Sequence, residues 1–320
     1  MTGTSGHNTN REAPELRENV SLAPITSWQI GGIADVYAEP TNEEQLEAAI
    51  EEGAKRGLPI TILGGGTNVL ISDRGVRGLV IGLRKFSGIK TSEVEGRFQI
   101  EALAGTSKSE LLKAFLKAKL EPAIFLAGIP GDIGGGVVMN AGVGEQLRPR
   151  EFNEITDAIE VWRWPTTPLA DMSIFKVGRQ RLEAKSLNWS YRHCEGWRPG
   201  LISKVWLSWP MEPKADVLDR VKAANHNRLT KQPLDMPSCG SVFVNPVGDR
   251  AGRLIEASGL KGFAIGGAKV SEKHANFIVN TGGATAQDMR AVIEHVRARV
   301  KDRQGVDLKT EVVWLGDWTP

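Results

Sequence analysis

Cysteine is scarce. The 320 residues hold two, Cys194 and Cys239. Two cysteines build neither a disulfide framework nor a zinc-finger spacing, so a reducing cytoplasmic setting is expected. Long apolar runs are missing too. No stretch approaches the roughly 20 residues that span a bilayer, and the first twenty residues are polar, without the apolar centre of a secretion signal. Neither sign of charge dominates: 40 Lys and Arg face 38 Asp and Glu, for a net charge of +2. That balance offers no electrostatic case for nucleic acid or an anionic membrane as partner. No internal repeat or low-complexity tract occurs. Two phosphate-binding signatures are also missing. There is no Gly-x-Gly-x-x-Gly opening a helix, and no glycine loop continues into Gly-Lys-Ser or Gly-Lys-Thr. A Rossmann dinucleotide site and a Walker loop are thereby set aside.

Glycine is abundant. There are 36, clustered in loops rather than repeating, which excludes collagen and suggests backbone wrapped closely around a ligand. A hydrophobic content of 41% with 24% charge is ordinary for a soluble protein, and the length suits two or three domains. Residues 1–19 are expected to form a flexible polar tail.

Residues 34–40 then read as a strand stopped by Pro40. Thr41 and Glu44 fit a capping box for a helix with Leu46, Ala49, Ile50 and Gly53 on one face, ended at Gly57. Residues 59–63 form a second strand, and this β-α-β pattern predicts an α/β layer. The strand runs into Gly64-Gly65-Gly66-Thr67-Asn68. Bare glycine N–H groups there can face phosphate oxygens, with Thr67 and Asn68 as added donors.

Strands are expected over 79–83 and 98–104. Ser107 and Glu110 cap the helix that follows. The next segment, 128–142, is the richest in glycine and suits a loop laid along a ligand. Residues 157–162 and 202–209 read as strands, with Tyr191 and Arg192 between them. A hinge near 211–214 precedes an amphipathic helix over 216–228. A short helix over 251–258 ends at Gly259, residues 274–280 read as a strand, and Thr285 caps a long helix closed by Gly305. The final strand, 310–315, places Glu311 on a face with Val313 and Leu315, where a carboxylate is costly unless paired or functional.

The stretch Pro237-Ser238-Cys239-Gly240-Ser241-Val242-Phe243-Val244-Asn245-Pro246 has neither period. Glycine and two prolines make it an ordered loop, with the Ser241 hydroxyl directly after a glycine that allows close approach. Cys239 lacks an identifiable base and reads as a buried thiol.

These motifs occur together and in order: Ile30-Gly31-Gly32, Leu63-Gly64-Gly65-Gly66-Thr67-Asn68, Gly128-Ile129-Pro130-Gly131 with Gly134-Gly135, Met139-Asn140-Ala141-Gly142, Tyr191-Arg192, Gly240-Ser241-Val242-Phe243, Ala251-Gly252, and His274-Ala275-Asn276. From about Ile25 to Leu315 the chain thus resembles the UDP-N-acetylenolpyruvoylglucosamine reductase family, in its shorter second type.

The resemblance implies an α+β fold. A vanillyl-alcohol-oxidase-type FAD-binding part would have two α/β subdomains, 20–85 and 86–212, followed by a substrate-binding domain, 213–320. It implies non-covalent FAD, NADPH as electron donor, and reduction of a small-molecule substrate, UDP-N-acetylglucosamine enolpyruvate, in peptidoglycan synthesis by a cytoplasmic monomer. FAD would be held by Gly64, Gly65, Gly66, Thr67, Asn68, Gly128, Ile129, Pro130, Gly131, Gly134, Gly135, Asn140, Ala141 and Gly142. Substrate would meet Tyr191, Arg192, Asn245, His274 and Asn276.

The reacting groups implied are Arg192 on the carboxylate, Ser241 as proton donor, and Glu311, useful when protonated or when orienting Arg192 or water. Val244 stands where the family usually has lysine, and Cys194 where it commonly has serine. Two other readings fit the fold: a sugar or alcohol oxidase, and a non-catalytic flavin- or nucleotide-sugar-binding relative. The five histidines, His7, His193, His226, His274 and His295, fall outside both glycine loops. That argues against the covalent flavin of many such oxidases.

Overall fold

The structure is a computed structural model and describes residues 14–143, 148–165 and 171–319. Of residues 1–19, expected to form a tail, 1–13 lie outside the described residues and the rest run into a strand. Strand β1, Leu16–Ser21, pairs antiparallel with β2, Ile33–Ala38. Only part of its side chains are apolar, which suits an edge strand with little buried surface.

Helix α1, Glu43–Lys55, is capped one residue later than the motif suggested. Asn42 accepts from the Gln45 N–H, and the Gln45 side chain reaches back to the Thr41 N–H. Asn is the better N-cap, so it takes the position from Thr41. Leu46, Ala49, Ile50 and Gly53 are buried as the helical period requires. Next come β3, Ile60–Leu63, β4, Val69–Ile71, and β5, Val76–Gly82. The first sheet has the order β1-β2-β5-β3, with β5 parallel to both neighbours. The β-α-β unit is there, with β5 slotted between its two strands.

The second layer starts with β6, Ile89–Val94, and β7, Arg97–Leu103. Helix α2, Lys108–Lys117, has the full Ser107/Glu110 capping box. Helix α3, Pro122–Leu126, is buried throughout. The glycine-rich stretch is only partly loop, because Asp132 caps a short helix α4, Ile133–Val138. Strands β8, Thr156–Arg163, β9, Gly178–Glu183, β10, Asn188–Ser190, β11, His193–Glu195, and β12, Leu201–Pro210, follow. Five of these strands form an antiparallel sheet, β6-β7-β12-β8-β9, and β10-β11 is a separate hairpin.

Helix α5, Val217–Lys231, was expected to open the third domain. Its buried residues Val217 and Val221 instead join the core of Leu120, Ala123 and Phe125. Lys214 and Arg220 both pair with Glu121. The helix therefore packs with the second subdomain.

The remainder holds α6, Ala251–Ala257, β13, Ala264–Ile265, β14, Ala268–Val270, β15, Ile278–Asn280, α7, Ala286–Gln304, and β16, Val313–Leu315. Residues 274–277 are turn rather than strand, since the Phe277 N–H bonds back to the His274 carbonyl. The last strand also shortens. The Glu311 N–H donates to the Val242 carbonyl, and β16 then pairs parallel with β4.

The chain end thus returns to the first subdomain. Trp28, Ile30 and Leu70 lie in the same core as Met289, Val292, Ile293 and Val296 of α7. Asp73 anchors this joint, accepting from the Ala286 and Gln287 N–H groups at 2.8 and 2.9 Å. A carboxylate on a helix N-terminus satisfies orphan donors and complements the dipole. Because Asp73 is exposed, Asp73→Ala is expected to cost only about 1 kcal/mol of stability in denaturant titration.

Candidate active site

The first glycine loop follows β3 into the interior. Gly66 has φ +65°, and a Cβ there would lie 2.2 Å from the Ile25 carbonyl oxygen, so no side chain fits. The loop's donors are not all open to a ligand. The Gly65 N–H bonds the Asp132 carboxylate, whose other oxygen accepts from the Gly135 N–H at 2.6 Å. Asp132 therefore clips the two glycine segments together and neutralises two of the N–H groups that phosphate was expected to meet. Asn68 is also committed, donating to the Glu311 carbonyl at 3.0 Å.

The β10-β11 hairpin presents Tyr191 and Arg192 at its turn. Arg192 adopts φ +58°, a left-handed conformation uncommon for a side-chain-bearing residue, and its guanidinium stacks over the Tyr191 ring at 4.5 Å. Each guanidinium nitrogen faces a different partner. Nε lies 3.3 Å from Glu311, Nη1 lies 3.8 Å from Glu151, and Nη2 donates to the Gly142 carbonyl at 2.7 Å. The Arg192, Glu151 and Glu311 side chains are 15–16% exposed, so little water screens their charges. Burial pushes the Glu311 carboxyl above its ordinary value, with Arg192 opposing the shift.

The Ser241 loop meets this group from the other side. Gly240 takes φ +82°, which glycine adopts without strain and which turns the chain just before the serine. Asn276 holds the loop. It accepts from the Phe243 N–H through its side chain and from the Val242 N–H through its carbonyl, and its amide donates to the Phe243 carbonyl. With the Glu311 N–H on the Val242 carbonyl, Ser241 is fixed beside the Glu311 segment. Asn245 reaches the Tyr191 hydroxyl at 3.5 Å.

Ser241, Arg192, Glu311, Tyr191 and Asn245 line one cavity of about 1230 Å³, together with Gly64, Gly65, Gly66, Thr67, Asn68, Gly128, Ile129, Pro130, Gly134, Gly135, Ala141 and Gly142. The remaining expected contacts fall outside its lining. Asn140 is buried and its amide ties Glu151 to the Ser190 carbonyl. Gly131 backs onto Thr67. Asn276 is the loop's internal brace, and His274 packs edge-on against Phe277. Val244 also lies outside the lining, bonding the Lys309 carbonyl through its N–H. Cys239 does line the cavity, but burial holds its thiol well above the ordinary value, aided by the Glu311 charge. It is poorly suited to be a nucleophile.

Three lining or supporting residues escaped the sequence reading. Asp132 carries a local signal, since an Asp directly before a short helix is a typical cap. Glu151 carries none. Lys108 sits in a helix first turn, where a lysine normally points to solvent, yet it is 5% exposed and its ammonium donates to the Pro130 carbonyl at 2.8 Å. Burial lowers it to about 8. The cavity exceeds the roughly 300–1,000 Å³ typical of a single small-ligand pocket, and it joins glycine backbone to a buried lysine. Those residues fit FAD with room for a second ligand.

This fold and site define a flavoprotein: a vanillyl-alcohol-oxidase-type FAD-binding part joined to a separate α+β domain. Residues 34–163 match the family description "FAD binding domain", and residues 232–315 match "UDP-N-acetylenolpyruvoylglucosamine reductase, C-terminal domain". The latter match begins directly after α5. The chain is 40% identical over 302 residues to UDP-N-acetylenolpyruvoylglucosamine reductase of Moorella thermoacetica, covering 94% of this chain and 93% of that protein. It is 39% identical over 327 residues to a Synechococcus protein of the same name, covering 100% and 99%. The crystal structure of the Thermus caldophilus reductase superposes with a TM-score of 0.72 at 30% identity, covering 94% of this chain and 98% of that one. The chain belongs to the UDP-N-acetylenolpyruvoylglucosamine reductase family. Among the described residues no helix is long and apolar enough to cross a membrane.

Proposed function

We propose that this chain reduces UDP-N-acetylglucosamine enolpyruvate to UDP-N-acetylmuramate for peptidoglycan synthesis, with FAD as cofactor and NADPH as donor. The observation that carries this reading is the meeting of Arg192, Glu311 and the Ser241 loop in one cavity that both glycine segments also line. FAD, when bound, supplies the hydride that adds to the terminal vinyl carbon of the substrate.

Addition there drives the double-bond electrons toward the carboxylate, giving an enolate. Arg192 is always charged and holds that carboxylate, so its attraction grows as charge develops. Ser241 gives its hydroxyl proton to the adjacent carbon, which completes the saturated lactyl ether, and recovers a proton from solvent. A serine hydroxyl is a weak acid and transfers its proton only to a base as strong as the enolate. Tyr191, under the Arg192 guanidinium, and Asn245 would orient the substrate. The two buried free cysteines suit a reducing cytoplasm.

An anaerobic two-step titration tests the reading. NADPH is expected to bleach the bound flavin, and UDP-N-acetylglucosamine enolpyruvate is expected to restore its colour. Bleaching without recovery would overturn the proposed function.

A further inference from the structure

Arg192 brings one positive charge to two carboxylates. With Glu151 and Glu311 both ionised, the buried triad carries a net charge of −1, and an incoming substrate carboxylate would make it −2. Such a site repels its own ligand unless a proton is taken up. The two glutamates are not equivalent. Glu151 accepts a hydrogen bond from the Asn140 amide at 3.0 Å in addition to facing Arg192. Its carboxylate thus has a dedicated donor from a fully buried side chain. Glu311 lines the cavity, and Arg192 is the one ion-pair partner the structure gives it among the described residues.

We propose that Glu151 is a positioning residue for the reduction: held by Asn140, it clamps the Arg192 guanidinium and takes up its charge, so that Glu311 meets the substrate as a neutral carboxyl. The charge balance then closes. Arg192 and ionised Glu151 cancel, Glu311 is uncharged, and the substrate carboxylate enters a neutral site with N–H and O–H donors facing it. The other titratable groups around Glu311 fit this arrangement. Tyr191 is held neutral by burial and Cys239 keeps its proton, while Lys108, near Arg192, is matched by the Asp132 carboxylate and leaves the balance unchanged.

This inference rests on the reductase reading and is tested on the flavin-loaded enzyme by the two half-reactions. In the unaltered chain, reoxidation by substrate is expected to fall as pH rises and Glu311 loses its proton. In E151Q the Arg192 charge bears on Glu311 alone and that limb is expected to move down by about one unit, a tenfold loss on its basic side. Flavin reduction by NADPH is expected to stay close to normal. E151D, which keeps the carboxylate, is expected to restore the limb.

An E151Q limb unmoved from that of the unaltered chain would overturn the role of Glu151, while recovery of flavin colour in the unaltered chain would leave the reductase reading standing. Should E151Q not fold, E311Q decides: a fixed neutral side chain is expected to abolish the basic limb. Its persistence in E311Q would overturn the neutral-carboxyl arrangement.

Discussion

Ser241→Ala is expected to leave flavin bleaching by NADPH nearly intact and to slow reoxidation by UDP-N-acetylglucosamine enolpyruvate by about 10²–10⁴-fold, the usual contribution of a positioned proton donor. At 1.36 kcal/mol per tenfold change, the loss is about 3–5 kcal/mol of transition-state stabilisation. The split between half-reactions follows from where the serine acts. Bleaching involves no proton at the substrate carbon, whereas reoxidation ends with one. The fold is expected to survive, because the loop is held through backbone groups: Val242 and Phe243 to Asn276, and Val242 to the Glu311 N–H. Anaerobic stopped-flow of each half-reaction measures the two rates separately. Equal slowing of both would remove the proton-donor role. So would a reoxidised variant that incorporates solvent deuterium at the adjacent carbon at the unaltered rate.

The long helix α7 shows which parts of the fold are legible from local chemistry. Thr285 caps it, Gly305 closes it with φ +70°, and Met289, Val292, Ile293, Val296 and Val300 are buried at helical spacing. Cap, period and terminator all lie within one segment, so nothing distant decides the outcome. Strand β1 is the opposite case. Its edge position and mixed polarity make it look like tail, and its place depends on β2. Helix α5 reads correctly as a helix, but the choice of partner rests with Glu121 and the second core, which no window around residue 217 contains.

The site divides in the same way. Ser241 stands out as a hydroxyl after a glycine, and Glu311 as a carboxylate among apolar neighbours. Glu151 and Lys108 are ordinary charged residues by spacing. What makes them unusual is burial, a property of packing between Asn140, Arg192, Pro130 and Phe152 rather than of their own segments. Asn140 and Asn276 illustrate the reverse. Their motifs point to the site, and the structure places them one step behind it, bracing Glu151 and the serine loop.

Arg192→Met is expected to abolish productive reoxidation and to make stability fall with rising pH. The variant removes the single guanidinium between Glu151 and Glu311 while keeping a long stem of similar length. Taking away one partner of a buried ion pair leaves an uncompensated charge, at about 3–5 kcal/mol. The direction with pH follows from Glu311. Its carboxyl already sits above the ordinary value in the folded chain, and Arg192 is the group that opposes the rise. Without Arg192 it climbs further. The folded state then holds this proton over a pH range where the unfolded chain, with a glutamate value of about 4.3, has released it.

Between those two values the native state binds more protons, so each unit of rising pH costs stability. Below the unfolded value both states are protonated and this cost vanishes. Denaturant titrations at several pH values are therefore expected to show Arg192→Met closest to the unaltered protein at the acid end, with the gap widening toward pH 8. Arg192→Lys, which keeps the charge but not the three-way contact, is expected to recover much of the stability and little of the reoxidation rate. A gap independent of pH would mean that Arg192 stabilises the fold by packing on Tyr191 alone, and that the carboxylates on either side of it are not electrostatically coupled to it.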